Sequence, residues 1–208
     1  METPEFLFDG STKTTRTIVL THGAGAAMDS PFMTTIAVGL AERGNRIVRF
    51  EFPYMRARRI DGKRKPPNSA AALMNHWRAV IKTLGPAKNL VIGGKSLGGR
   101  IASLVADEAR VAGLICLGYP FHPPGRPEKR RTEHLINLAT PTLIIQGERD
   151  SFGNQDDVNS YKLSGSIRVN WLADGDHSFK PRKRSGHTEW ENLTKAIHSI
   201  SEFVDQIG

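Results

Sequence analysis

The chain alternates between short apolar runs rich in β-branched residues and longer segments with helical periodicity. Several of the apolar runs contain almost no polar residue, which is typical of strands buried on both faces. This alternation favours an α/β fold with a mostly parallel, doubly wound sheet of six or seven strands. The predicted strands cover residues 17–21, 46–52, 89–93, 112–118, 142–147 and 167–173.

Three helices are predicted between or after these strands, each from a signal at its ends. The first follows Ser30 and Pro31 and stops before Gly44, and the second begins near Asn68 or Ser69. The last opens with a capping box that starts at Thr188. Its apolar residues recur at spacings of three and four and are expected to be buried: Trp190, Leu193, Ile197, Ile200, Val204 and Ile207.

Composition narrows the class of protein. With 208 residues and 38% hydrophobic content, the chain suits one core, and we expect a single domain over residues 1–208. The formal net charge of +8 favours contact with anions. The single cysteine, Cys116, excludes an internal disulfide and is expected in the core. No signal peptide or membrane span is recognisable, so a cytoplasmic protein without membrane contact is expected.

The sharpest motif is Gly94-Lys95-Ser96-Leu97-Gly98, which lies between a predicted strand and a helical pattern. Gly-x-Ser-x-Gly in this context is typical of a nucleophile elbow, a tight turn that exposes a strained serine above the sheet. Ser96 is therefore the predicted nucleophile. A phosphate-binding loop ending in Gly-Lys-Ser would need glycine at position 89, where the chain has Asn89.

An activated serine needs a base and an acid, which should follow later strands in the order Ser, Asp, His. Asp150 comes just after the strand at 142–147, and His177 follows the strand at 167–173. Both would lie at the carboxyl edge of the sheet with Ser96. Asp150 is preferred because it lies closest to its strand end, whereas Asp156 and Asp157, the alternatives for the acid, are expected to cap the following helix. Two acidic neighbours of the base are further alternatives. Those neighbours are Asp174 and Asp176.

The oxyanion formed during acyl transfer needs two backbone donors. The backbone amide of Leu97, the residue after the nucleophile, is one predicted donor. The other lies in the loop after the first predicted strand and is the amide of Ala24, with that of Gly25 as the alternative. Aromatic residues just beyond strand ends are candidate walls of the substrate pocket, and His22 lies beside or beneath it as a structural residue. The complete pocket set is His22, Phe52, Tyr54, Tyr119 and Phe121.

These motifs resemble the α/β-hydrolase superfamily over nearly the whole chain. Residues 20–24, 93–100, 113–122 and 176–178 are similar to the small lidless group related to dienelactone hydrolases. That group includes a testis-expressed protein and a subunit of a chromatin-modifying acetyltransferase complex. The resemblance implies the fold and the assignment of Ser96, Asp150 and His177.

Two segments are shorter than that superfamily usually has. About 20 residues precede the His22 loop, so the initial antiparallel strands must be shortened, with residues 6–8 as a remnant. About 20 residues join Pro120 to Pro141, which is too few for a cap domain. An open site is therefore expected, and long-chain lipids are disfavoured as substrates.

The basic residues are concentrated in three segments, each beyond the carboxyl end of a strand. We expect them to form an electropositive rim that attracts an anionic substrate or partner. Nucleic acid is disfavoured because aromatic residues are not interleaved with these charges. The segments contain Arg56, Arg58, Arg59, Lys63, Arg64 and Lys65; Arg126, Lys129, Arg130 and Arg131; and Lys180, Arg182, Lys183 and Arg184.

Together the residues predict a serine hydrolase that cleaves a carboxylic ester or thioester of a small to medium acyl group. The substrate would be a small molecule, and neither a cofactor nor a metal is expected, since the histidines show no metal-ligand spacing. The alternative is a non-catalytic module of the same fold that binds an acidic partner through the basic rim. The oligomeric state is not indicated.

Overall fold

A computed structural model describes residues 4–207. It contains a seven-stranded sheet in the order β1-β3-β2-β4-β5-β6-β7, and β1 alone runs antiparallel to its neighbour. The strands are β1 (Phe6–Gly10), β2 (Thr17–Thr21), β3 (Arg46–Phe50), β4 (Leu90–Lys95), β5 (Gly113–Leu117), β6 (Thr142–Gly147) and β7 (Ile167–Leu172). The predicted parallel sheet is confirmed, and β1 is the expected short remnant of the initial strands.

Seven α-helices lie within the described residues. They are α1 (Pro31–Glu42), α2 (Pro53–Asp61), α3 (Ala70–Leu84), α4 (Leu97–Ser103), α5 (Ala106–Ala109), α6 (Gln155–Asn159) and α7 (Glu189–Gln206). The capping box predicted for α7 is present, with Thr188 accepting from the Glu191 amide and Glu191 accepting in return. The predictions did not include α2, although Pro53 and Gly62 mark its two ends.

The sheet is covered on both faces because successive strand residues point to opposite sides. In β4, for example, Val91 packs with α1 and α7, whereas Ile92 packs with α3 and α4. Apolar residues on both faces of the central strands therefore build two cores separated by the sheet. This double burial explains why the strand sequences contain so few polar residues.

Four of the six residues expected to be buried on α7 are buried, and Ile207 is partly buried; the four are Leu193, Ile197, Ile200 and Val204. Trp190 was expected to be buried, but its side chain is 68% exposed. The first turn of α7 instead buries Asn192, whose side-chain amide donates to the carbonyls of Ala173 and Phe179. The helix face is thus set by the need to satisfy these loop carbonyls as well as by apolar periodicity.

The segment from residue 120 to residue 141 forms loops and one short 3-10 helix (Glu133–Ile136). Within residues 4–207 no cap domain covers the carboxyl edge of the sheet. Among residues 4–207, no helix is both long enough and apolar enough to cross a bilayer.

Two tryptophans provide a matched test of this packing. Trp77 of α3 is fully buried in one core, so Trp77→Ala should lower the free energy of unfolding by about 3 to 5 kcal/mol. Trp190→Ala, at an exposed position, should change it by less than about 0.5 kcal/mol. Urea denaturation followed by circular dichroism measures both, and equal losses would contradict the burial described.

Candidate active site

Ser96 lies in the turn between β4 and α4 with a strained backbone, φ 49° and ψ −111°. The strain is maintained by tight packing, because neighbouring backbone leaves no space for side chains beside it. A Cβ on Gly94 would lie 2.1 Å from the carbonyl oxygen of Thr21, and one on Gly98 would lie 2.7 Å from the same atom. The turn has the geometry of a nucleophile elbow.

Because β4 continues through Lys95, residues 89–94 do not form an open phosphate-binding loop.

His177 and Asp150 form a continuous hydrogen-bond chain with Ser96. His177 Nε2 lies 2.9 Å from Ser96 Oγ, and His177 Nδ1 lies 2.8 Å from Asp150 Oδ2. The three residues follow β4, β6 and β7, whose carboxyl ends meet at one edge of the sheet. The sequence order Ser, Asp, His thus becomes a spatial constellation in which an imidazole can accept the serine proton.

The Asp150 carboxylate is completely buried and held by several donors. Besides His177, the Gln146 side-chain amide donates to Oδ2 at 2.9 Å and the Phe152 backbone amide donates to Oδ1 at 2.8 Å. Gln146 is itself fixed, since it also donates to the carbonyl oxygens of Tyr119 and Gly153. These bonds offset the cost of burying the carboxylate and fix its orientation toward the imidazole.

The alternative acids are engaged elsewhere. Asp157 accepts from Asn154 as part of the α6 capping box, and Asp156 lies exposed in the first turn of that helix. Asp174 is bound by Arg182, and Asp176 accepts from backbone amides of its own loop. Asp150 is the carboxylate that contacts His177.

The predicted oxyanion donors lie on the two segments that flank Ser96. Leu97 is the first residue of α4, so its amide has no partner in the preceding turn of that helix. Ala24 lies in the exposed loop after β2, and no hydrogen bond from either amide is seen within residues 4–207. Ala24, Gly25 and Ser96 all line one cavity, so both segments face the same space.

The loop that contains Gly23 and Ala24 is held on its buried side by His22 and Tyr54. His22 Nδ1 donates to the Gly23 carbonyl at 2.7 Å, and Nε2 accepts from the Phe52 amide at 3.1 Å. Burial lowers the pKa of His22, which favours this neutral form. The Tyr54 hydroxyl lies 3.3 Å from the carbonyl oxygens of Gly23 and Ala24. His22 therefore supports the loop, as the sequence interpretation favoured.

The cavity beside Ser96 is lined by other residues than those predicted for the substrate pocket. A cavity of about 330 Å³ opens beside Ser96, and its apolar walls include Phe32, Met33 and Phe152. The Phe152 ring lies 4.2 Å from the His177 ring, centroid to centroid. None of the five predicted pocket residues lines this cavity, because all of them are buried behind it or in the core. They are His22, Phe52, Tyr54, Tyr119 and Phe121.

Lys95 is a site residue that the sequence interpretation did not assign. It lines the same cavity, and its Nζ donates to the carbonyl oxygen of His177 at 2.6 Å. Burial lowers the pKa of Lys95 to about 8, against the charges of Asp150 and Asp176, which raise it. The only sequence signal was its place beside Ser96 in the elbow motif.

The charge of the predicted basic rim is partly neutralised. Arg59 forms ion pairs with Asp29 and Glu51, and Lys65 pairs with Asp61. Arg182 and Lys180 also have acidic partners. In the segment at 126–131, the Arg130 guanidinium lies over the Tyr161 ring, a contact that does not neutralise its charge. The rim is therefore less electropositive than the count of basic residues indicates.

Cys116 is buried in β5, as expected for a core residue, and burial raises the pKa of its thiol. Among the described residues, no group of three or more His, Cys, Asp or Glu side chains is placed to hold a metal ion.

A mostly parallel sheet with a nucleophile elbow and a Ser-His-Asp constellation defines the α/β-hydrolase class. The alpha/beta hydrolase domain family matches residues 14–205, so the chain belongs to that family. The fold is that of the superfamily, and the family match supports hydrolase activity in general terms.

Three solved structures illustrate the similarity of fold. An alpha-beta serine hydrolase homologue from Coxiella burnetii is 19% identical, with a TM-score of 0.72 over 96% of this chain and 90% of that one. A Xanthomonas campestris serine hydrolase described as lacking a lid is 19% identical, with a TM-score of 0.70 over 98% and 88%. Est1E from Butyrivibrio proteoclasticus with bound ferulic acid is 15% identical, with a TM-score of 0.70 over 98% and 94%.

The elbow packing can be tested with two glycines. Gly94→Ala would force a methyl group against the Thr21 carbonyl, so it should lower the free energy of unfolding by about 2 to 3 kcal/mol. Gly165→Ala is the control, because no atom lies within 4 Å of the added Cβ, and it should change stability by less than about 0.5 kcal/mol. Thermal denaturation measures both, and a Gly94→Ala variant as stable as the control would refute the tight turn.

Proposed function

We propose that the protein is a serine hydrolase that cleaves carboxylic esters or thioesters of small to medium acyl groups. The observation that carries this proposal is the unbroken hydrogen-bond chain from Ser96 Oγ through His177 to buried Asp150. In this arrangement the imidazole can deprotonate the serine while the carboxylate stabilises the resulting imidazolium.

In the proposed first half-reaction, Ser96 Oγ attacks the substrate carbonyl carbon and its proton passes to His177 Nε2. The amides of Ala24 and Leu97 donate to the oxyanion of the tetrahedral intermediate. When the intermediate collapses, the bond to the leaving group breaks and His177 returns the proton to that group. Ser96 is then acylated.

In the second half-reaction, His177 accepts a proton from water as the water oxygen attacks the acyl carbon. A second tetrahedral intermediate forms on the same backbone donors. Its collapse breaks the bond to Ser96 Oγ, which regains its proton from the imidazole, and releases the acid. Asp150 stays ionised and keeps the imidazole oriented through Nδ1.

The cavity supports a limit on acyl size. Its volume of about 330 Å³ and its apolar walls suit a short or medium acyl chain. The short segment at residues 120–141 leaves this cavity without a cap among the described residues. Both features support our inference that the chain falls in the lidless group related to dienelactone hydrolases.

Labelling by a fluorophosphonate probe tests the nucleophile directly. Wild-type protein should be labelled, whereas Ser96→Ala should lose all labelling and His177→Ala should be labelled at least about 100-fold more slowly, because the base is gone. Ser160→Ala, at an exposed serine after α6, is the matched control and should be labelled like wild type. Folded wild-type protein that resists the probe would contradict the proposed function.

Hydrolysis of nitrophenyl esters tests the acyl preference. In a series of acetyl, butyryl, hexanoyl, decanoyl and palmitoyl esters, kcat/KM should be highest among the first three and fall for the last two, because the cavity cannot enclose the longer chains. Activity that rises continuously to palmitoyl would contradict the proposed substrate size. Ser96→Ala provides the background rate for every ester.

A further inference from the structure

The loop that carries His177 between β7 and α7 contains neither helix nor strand at residues 173–182. Part of its shape comes from within, since Asp176 Oδ1 accepts from the amides of Ser178 and Lys180. A further contact joins the loop to β4, because Lys95 Nζ donates to the His177 carbonyl at 2.6 Å. Lys95 and Ser96 are adjacent, so the end of β4 contacts both the backbone and the ring of His177.

The Lys95 ammonium lies over two aromatic rings, at distances where ring faces attract a cation. It lies 5.6 Å from the ring centroid of Phe32 and 5.9 Å from that of Phe179. Within residues 4–207 it forms no ion pair, because no carboxylate oxygen lies within 4.0 Å of Nζ. The two rings and the hydrogen bond to the His177 carbonyl offset the cost of removing this charge from water.

Gly118, just after β5, leaves the space that the ammonium fills. A Cβ at this position would lie 2.9 Å from Lys95 Nζ and 3.0 Å from the His177 carbonyl oxygen. Gly118 also has φ 65°, a conformation that disfavours other residues. Three segments of the chain thus converge on one hydrogen bond between the elbow and the His177 loop.

We propose that Lys95 is a positioning residue, whose ammonium holds the His177 backbone so that the imidazole stays in register with Ser96 Oγ. This inference rests on the proposed hydrolase function. Without the bond, the loop has more freedom and the imidazole spends less time within reach of the serine. Misplacement by about 1 Å can cost roughly 100-fold in rate, so a modest release of the loop is expected to be visible in kcat.

The charge of Lys95 gives the role a signature in pH. The charged and titratable groups that face the ammonium are Asp150, Asp176 and the His177 imidazole, and both carboxylates favour its protonated state. The pKa of about 8 means that the charge is lost in mildly alkaline solution. A neutral amine is a weaker donor to the carbonyl than an ammonium, so kcat of the wild type should decline as pH rises through about 8.

Substitution of Lys95 tests the proposal with a matched control. Lys95→Met keeps an unbranched side chain, shorter by the terminal nitrogen, and so removes the donor; kcat for a nitrophenyl ester should fall about 10- to 100-fold while KM changes less than about twofold. The decline in kcat above pH 8 that is expected for wild type should be absent from Lys95→Met.

Two control variants accompany this one. Lys95→Arg, which keeps charge and donors, should recover part of kcat, and Lys82→Met at an exposed site on α3 should match wild type. A Lys95→Met variant with kcat within about twofold of wild type, or with the alkaline decline intact, would overturn the proposal.

Two further measurements cover failure of folding and failure of the proposed function. If Lys95→Met does not fold, Lys95→Gln, which loses the charge and is too short for the bond to the His177 carbonyl, should reproduce the loss of kcat; unchanged kcat in that variant would overturn the proposal. If wild-type protein hydrolyses no ester and resists the serine probe, the proposed function fails. The proton on His177 Nδ1, observed by NMR, then tests positioning by itself. It should exchange with water faster in Lys95→Met than in wild type, and equal exchange would overturn the role of Lys95.

Discussion

The close approach of β4 to β2 is the contact on which the rest of the site depends. Gly94 and Gly98 both pack against the carbonyl of Thr21, at distances that a Cβ would make impossible. The same residue leads into the loop that carries Ala24, and β4 leads into Ser96. One backbone contact therefore sets the distance between the nucleophile and the loop that faces it, before any side chain of the site is considered.

The polar part of the site is built on buried groups that satisfy one another. Asp150 would be costly to bury alone, but Gln146, the Phe152 amide and His177 all donate to its oxygens. Gln146 is held in turn by two backbone carbonyls. The orientation of the imidazole is thus determined by a network that extends from the edge of the sheet into the core, which is how a surface histidine acquires a defined geometry.

The aromatic residues show where sequence interpretation of the site failed. Tyr119 and Phe121 follow β5 and were expected to line the pocket, but their rings pack on each other and stay fully buried. The walls instead include Phe32 from α1 and Phe152 from the loop after β6. Position beyond a strand end predicts nearness to the edge of the sheet, but the direction of the chain after the strand decides which side chain reaches the cavity.

Local patterns in the chain were enough to predict the sheet, its buried strands and the order of Ser96, Asp150 and His177 along them, because periodicity and the glycine-bounded elbow are properties of short segments. The sequence already favoured Asp150 as the acid, but the hydrogen bond between its Oδ2 and His177 Nδ1 came from the folded arrangement. So did the outward direction of Trp190 and the hydrogen bond from the Lys95 ammonium to the His177 carbonyl. These outcomes depend on hydrogen bonds and packing between segments distant in sequence, which no local pattern encodes.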